Sequence, residues 1–323
     1  MSATSSLAPP DGGREVEPAA GKAPRSRGDR VFAGTARAAG IAILVALAGV
    51  FVFLTVEGLP GLSQTAATYT PNTSFLSYVA PLLFGTVLAA VLALLLAVPF
   101  AFGIALFISH YAPRRLAVPV AYVVDLLAAV PSVVFGLWGA RSLAPYLVGA
   151  HDWLAAHLGW LPFFDGPASV TGRTVFTAGI VLAIMVLPII TAISREIFAQ
   201  TPRLNEEAAL ALGATRWEMI RLTVFPYARS GMVSAVMLGL GRALGETMAV
   251  AMVLSASPVV TLNLISNTNP ATIASNIASS FTEATPAKLH VLIATGLVLF
   301  AFTFAVNFAA RWVVGRSARR MAR

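Results

Sequence analysis

Apolar residues in this chain come in long runs rather than in alternation. Six stretches are long enough and poor enough in charge to cross a bilayer: residues 38–56, 79–108, 116–140, 174–194, 230–256 and 290–311. Crossing ~30 Å of hydrocarbon takes about 20 residues at a rise of ~1.5 Å each. The pattern therefore predicts six transmembrane helices within residues 38–323. Pro99, Pro131 and Pro188 fall inside the second, third and fourth runs, where neighbouring helices can re-satisfy the freed carbonyls. Ahead of the first run, residues 1–37 mix Pro, Gly, Ala, Ser and Arg without apolar periodicity, which predicts a disordered tail. Residues 57–78 and 257–289 read as polar loops. Residues 141–173 contain "HDWLAAHLGWLPFF", read as an interfacial segment with Trp153 and Trp160 at headgroup depth.

Composition supports this reading. Of 323 residues, 57% are hydrophobic and only 11% charged, against roughly 25% charged in soluble domains. The fold class expected is an all-α membrane protein. There are no cysteines, so disulfides and thiolate-bound metals are excluded. The net charge of +8 could suggest a nucleic-acid partner, but its distribution points to membrane topology. Of 22 Lys and Arg residues, 18 lie in the tail, the 109–115 and 195–229 segments and the C-terminus; Arg141, Arg173 and Lys288 lie in the alternate loops. Positive charge collects on the cytoplasmic side, which places both termini there, as an even number of spans requires.

Several chemistries have no foothold. No G-x-x-x-x-G-K-[ST] phosphate loop occurs, so nucleotide hydrolysis by that route is not expected of this chain. "GLGRALG" has the wrong spacing for a dinucleotide fingerprint and no preceding strand. His151 and His157 are six apart, not the i,i+4 of a helical metal pair. H-E-x-x-H and G-x-S-x-G are also missing.

The most distinctive polar stretch is 201–226, "TPRLNEEAALALGATRWEMIRLTVFP". Thr201 reads as an N-cap with Pro202 at the first helical position, and Pro226 reads as the far stop. Gly213 in the middle permits a bend, predicting two short helices. Ala208 and Ala209 offer a small surface for close approach, with Trp217 and Ile220 as apolar anchors. Physics alone leaves a plain amphipathic connector open. "EAALALG", nine residues, then "TVFP" resembles the EAA motif of ABC importer permeases. Glu207, Ala208, Ala209, Gly213 and Pro226 match that pattern, while Thr223 and Phe225 depart from its usual Ile and Leu. With "DLLAAVPSVVFGLWG" (125–139) and "GLGRALGETMAV" (239–250), the chain from about residue 35 onward is similar to the C-type permeases (PstC type) of phosphate-specific transport systems.

The resemblance implies a type I ABC importer permease fold in the bacterial plasma membrane. The 201–226 segment would be the coupling helix that docks on the ATPase. The implied partners are an A-type phosphate permease, forming a heterodimer, a dimer of ATP-binding subunits and an extracytoplasmic phosphate-binding protein. No cofactor is expected in this chain; ATP and magnesium would sit on the ATPase, which would do the hydrolysis.

Three charges interrupt the interiors of the predicted spans: Asp125, Arg242 and Glu246. Each costs about 2.5–3.5 kcal/mol at a helix centre on the insertion scale. Arg242 and Glu246 could form an i,i+4 salt bridge, although Arg-before-Glu is the weaker order. Alternatively they line a translocation path, with Asp125 a weaker candidate. Gly239, Gly241 and Gly245 would bring another helix close. An arginine fork suits phosphate oxygens. Glu246 could accept a hydrogen bond from the P–OH that sulfate lacks, or gate the path by pairing with Arg242. The expected function is the permease subunit of an ATP-driven phosphate importer. A molybdate or sulfate permease, and an ion-coupled secondary transporter, remain alternatives.

Overall fold

A computed structural model of the chain describes residues 27–69 and 71–321, with side chains described through Trp312 and at Gly315 and Arg316. The chain divides into a first unit ending at Val50 and a second, Phe51–Arg323. Helix α1 (Arg27–Gly58) begins in the first and ends in the second. Residues 1–26 of the expected tail lie outside the described residues, whereas 27–37 are helical rather than disordered. A membrane helix, once nucleated, propagates cheaply through residues that carry no pattern of their own. In the first unit Val31, Phe32, Ile41 and Leu44 are all exposed, as suits a helix facing lipid.

The second unit continues with α2 (Phe75–Leu106), α3 (Arg114–Ala128), α4 (Ser132–Trp138), α5 (Ala144–Leu158), α6 (Val175–Ala199), α7 (Arg203–Ala211), α8 (Arg216–Met219), α9 (Phe225–Gly245), α10 (Met248–Val253), α11 (Ile273–Ser280) and α12 (Pro286–Met321). Among the described residues, five helical runs are long and apolar enough to span: Gly28–Leu62, Phe75–Tyr111, Ser132–Leu158, Val175–Ala199 and Pro286–Trp312. Four of them agree with the first, second, fourth and sixth predicted spans.

The third and fifth need correction. The 116–140 run breaks before Pro131, which caps α4. Proline has no N–H and biases the residue before it away from helical ψ. The membrane-length helix is instead Ser132–Leu158, which takes in most of the stretch expected at the interface. Its His151 is fully buried, edge-on to Phe176. The fifth run is two helices, α9 and α10, parted at Glu246 and Thr247.

Small residues let the helices at the centre approach. Ala93, Ala97, Ala101 and Ala105 recur every fourth residue on α2 and are almost fully buried. On α6, a Cβ at Gly179 would come within 2.5 Å of Leu92 on α2. Gly239 of α9 likewise admits Ile190 of α6, at 2.7 Å from a hypothetical Cβ, whereas Gly241 and Gly245 meet nothing within 4 Å. Only the first of the three glycines is a packing spacer. Without a hydrophobic force between helices in lipid, such close contact supplies much of the association.

The connecting segments at the start of α6 are knitted by buried Asn269. Its carboxamide accepts from Val175 N (3.1 Å) and donates to the Arg173 and Ser255 carbonyls (3.2 Å each). Gly172 turns with φ +68°, and a Cβ there would fall on the Ala144 carbonyl oxygen. Gly172→Ala combines left-handed strain with a backbone clash. It should lower stability by about 2–4 kcal/mol, read as a drop in the thermal unfolding midpoint of the detergent-purified protein.

Candidate functional site

Glu246 ends α9 with extended dihedrals, φ −69° and ψ 126°. Its Oε1 accepts a hydrogen bond from Ala249 N at 3.2 Å, filling one of the orphan donor positions at the start of α10. A carboxylate there also meets the positive end of the helix dipole. Glu246 is only 8% exposed. Because the helix stops between them, Arg242 and Glu246 do not stack as an i,i+4 pair. Among the described residues no ion pair joins them; the three within 4 Å involve His110, Arg195 and His290. A salt bridge between the two, whether stabilising or gating, is therefore not what this structure contains. Irregular backbone inside a bundle is tolerated where protein buries it or a cavity opens beside it.

A cavity opens beside the last turns of α9, although Glu246 and Thr247 are not among its lining residues. It measures about 790 Å³ between α6, α9 and α12, and Arg242 lines it with Ser234, Gly241, Asn307 and Arg311 among apolar neighbours such as Ile189. Among the described residues the lining includes two arginines and no carboxylate. Arg311 was read from sequence only as one of the topogenic charges at the C-terminus. The local signal is Asn307 and Arg311 one turn apart at the end of a long apolar run. Asp125 lies outside this lining. It pairs at 3.5 Å with Arg195 of α6 and is about half exposed, so the structure does not bring it to Arg242.

At one end of the bundle, α7 and α8 form the two short helices expected around Gly213. Gly213, at φ +87°, donates to Leu210 O (3.0 Å), and Ala214 N donates to Ala209 O (3.2 Å). This is a Schellman closure, with glycine taking the left-handed residue. Gly213→Ala should loosen it by about 1 kcal/mol, seen as faster hydrogen exchange at the amides of Leu212, Gly213 and Ala214. Thr215 and Glu218 cap α8 reciprocally. The Thr215 backbone N–H, then its hydroxyl, hold the Glu218 carboxyl below its ordinary pKa. Since that pKa is depressed, the cap's contribution is present at neutral pH and is lost as pH falls through the lowered value.

Details of the segment differ from expectation. Pro202, not Thr201, is the N-cap, and Thr201 is buried behind it. Pro226 does not stop a helix. It sits in the first turn of α9, after a π-turn over Ile220–Val224 whose Phe225 N–H reaches Ile220 O. The wider turn moves carbonyls away from the ring, so the chain runs on into the bundle. Ile220 is fully buried, while Trp217 is exposed and edge-on to Phe225.

Within the EAA stretch, Glu207 and Ala208 are exposed and Ala209 packs partly against the cluster of Phe198, Met219 and Ile220. It is Glu206 that turns inward, 3.5 Å from His110 at the end of α2. Leu204, Ala208 and Leu212, spaced four apart, form an exposed small-to-apolar stripe, with Leu212 90% accessible.

Comparison with known proteins bears on these features. A family profile described as "Binding-protein-dependent transport system inner membrane component" matches residues 97–323. The "Phosphate transport system permease protein PstC 2" of Mycobacterium tuberculosis is 49% identical over 304 residues, covering 90% of this chain and 93% of its own length. The PstC protein of Mycobacterium leprae is 46% identical over 276 residues, 82% of this chain and 86% of its own. Two solved structures share the fold. The MetNI methionine ABC transporter aligns with TM-score 0.50 at 15% identity over 74% of this chain and 93% of that one. A bacterial ABC transporter involved in import of the acidic polysaccharide alginate aligns with TM-score 0.50 at 18% identity, over 89% of this chain and 99% of that one.

Proposed function

This chain belongs to the family of binding-protein-dependent transport system inner membrane components, and from that premise we propose that it is the permease subunit of an ATP-driven importer of inorganic phosphate. The observation that carries this reading is the oxyanion-suited cavity, two arginines and no carboxylate, in a chain whose relatives are phosphate transport permeases.

Arg242 presents a planar fork whose parallel donors match phosphate oxygens. Arg311 supplies a second positive charge, which a dianion requires. Glu246 holds the helix break that leaves Arg242 in the last turn of α9. Its carboxylate lies outside the lining of the cavity and accepts from Ala249 N here, so it would accept a hydrogen bond from a P–OH, a feature sulfate lacks, only as the ion moves on past Arg242. A buried polar group left unpaired discriminates strongly against the wrong ligand.

The partners follow from the same reading. An A-type permease closes the open side of the cavity, forming the heterodimer. ATP-hydrolysing subunits, carrying ATP and magnesium, dock on the stripe of Leu204, Ala208 and Leu212. Movement there passes into the bundle through Glu206 and His110 and through the unbroken run from α8 into α9. A phosphate-binding protein meets the opposite face. Both termini lie on the ATPase side of the bacterial plasma membrane.

The test is uptake by the complete transporter in proteoliposomes. Phosphate should accumulate only with ATP and with the binding protein present. Uptake by this chain alone, driven by an ion gradient, would overturn the reading in favour of a secondary carrier. Preferential accumulation of molybdate or sulfate would replace phosphate as substrate.

A further inference from the structure

A second polar pocket lies far from Arg242. It measures about 250 Å³ and is formed where α2, α11 and α12 come together with the 256–258 segment. Helix α2 fixes its position. Tyr78 lines the pocket near the start of that helix, and His110, 32 residues further on, meets Glu206 beside α7. At ~1.5 Å per residue that is about 48 Å, so the pocket sits at the end of the bundle opposite the coupling stripe.

The polar lining is rich in donors. Among the described residues Lys288 is the one charged residue of the lining, with Asn72, Tyr78, Ser257, Asn276 and Ser280. The Lys288 ammonium stands 4.1 Å from the Tyr78 ring centroid and donates to Thr68 O at 3.2 Å, leaving further N–H groups to give. Asn276 Nδ2 donates to the Tyr78 oxygen at 2.9 Å, so the phenol proton is free to point elsewhere. Asn72 Nδ2 is fully buried and has no hydrogen-bond partner among the described residues. A buried donor without an acceptor is costly, as is a part-buried ammonium that no carboxylate pairs. Glu283 lines an adjoining cavity with Lys288, not this pocket.

We infer that this pocket is a binding station for a small oxyanion, phosphate in the first instance, through which the ion passes before it reaches the Arg242 cavity. The donors fit an oxyanion on their own evidence; its identity as phosphate, and the pocket's outward side, rest on the function proposed above.

Equilibrium dialysis of radiolabelled phosphate against the purified membrane complex, without the binding protein and in a background carrying both Arg242→Gln and Arg311→Gln, isolates the station. The complex should still bind phosphate. Asn72→Ala should weaken that binding about ten-fold, the loss of one hydrogen bond to a charged group, and Lys288→Gln should abolish it. Lys288 also pins the Thr68 loop, so Asn72→Ala, which removes a donor without a partner among the described residues, is the decisive variant. No phosphate bound in the complex that lacks both arginines, or equal binding with and without Asn72→Ala, would overturn the inference. Uptake of phosphate, sulfate and molybdate by the wild-type complex separates this from the parent reading. If sulfate or molybdate is the cargo, dialysis with that ion tests the pocket in the same way.

Discussion

Arg242→Gln should cut phosphate uptake by about 10- to 100-fold while the complex assembles normally. Hydrogen bonds to charged groups contribute about 1.5–3 kcal/mol each, and ~1.4 kcal/mol is a factor of ten. Glutamine keeps most of the side chain's reach but loses the charge and the fork. Assembly should survive because Arg242 has no ion-pair partner among the described residues and lines open space. Arg311→Gln should give a smaller loss on the same cavity. Glu246→Gln retains an acceptor oxygen for Ala249 N, so the α9–α10 break should persist and any change in phosphate-over-sulfate preference reports the carboxylate itself. Measured in proteoliposomes against the amount of assembled complex, wild-type uptake by both Arg242→Gln and Glu246→Gln would remove these residues from the transport path.

Leu212→Asp should separate this chain from the ATP-hydrolysing subunits. Leucine at this position is 90% accessible and continues the stripe begun by Leu204 and Ala208. A well-packed apolar anchor at an interface contributes 2 kcal/mol or more, so a charge there should weaken docking at least ~30-fold. The readouts are loss of the ATPase on co-purification and loss of transport-coupled hydrolysis. The fold should hold, because the side chain touches little of its own subunit. Full coupling in the Leu212→Asp complex would place the docking surface elsewhere.

Much of this was legible in the sequence because apolar runs of uniform character have few ways to fold in a membrane. The first, second, fourth and sixth spans follow from length alone. The third misleads because Pro131 cuts the run locally while hydropathy averages across it, and His151 and Asp152 dilute the helix that follows. At the fifth, apolar residues continue past Glu246, so a window sees one helix where a capping carboxylate divides two. Gly213 was readable because its Schellman turn uses only nearby backbone. The π-turn that carries the chain through Pro226 is set by packing on Phe198 and leaves no residue signature. Arg242 announced itself as a charge in an apolar run. Arg311 did not, because only the packing of α12 against α9 brings it to a residue 69 positions earlier.

The open arginine-lined cavity also bears on how the protein must be made. Under the proposed heterodimer, a chain inserted before its partner carries Arg242 and Arg311 in a cavity that the partner has yet to close. Each such charge costs about 2.5–3.5 kcal/mol against lipid, so the unassembled subunit is the poorly tolerated form. Under the heterodimer proposed above, matched synthesis of the two permeases, and rapid proteolysis of whichever is in excess, would be a requirement of the architecture rather than a matter of regulation. The scarcer subunit would then set how many transporters the membrane holds.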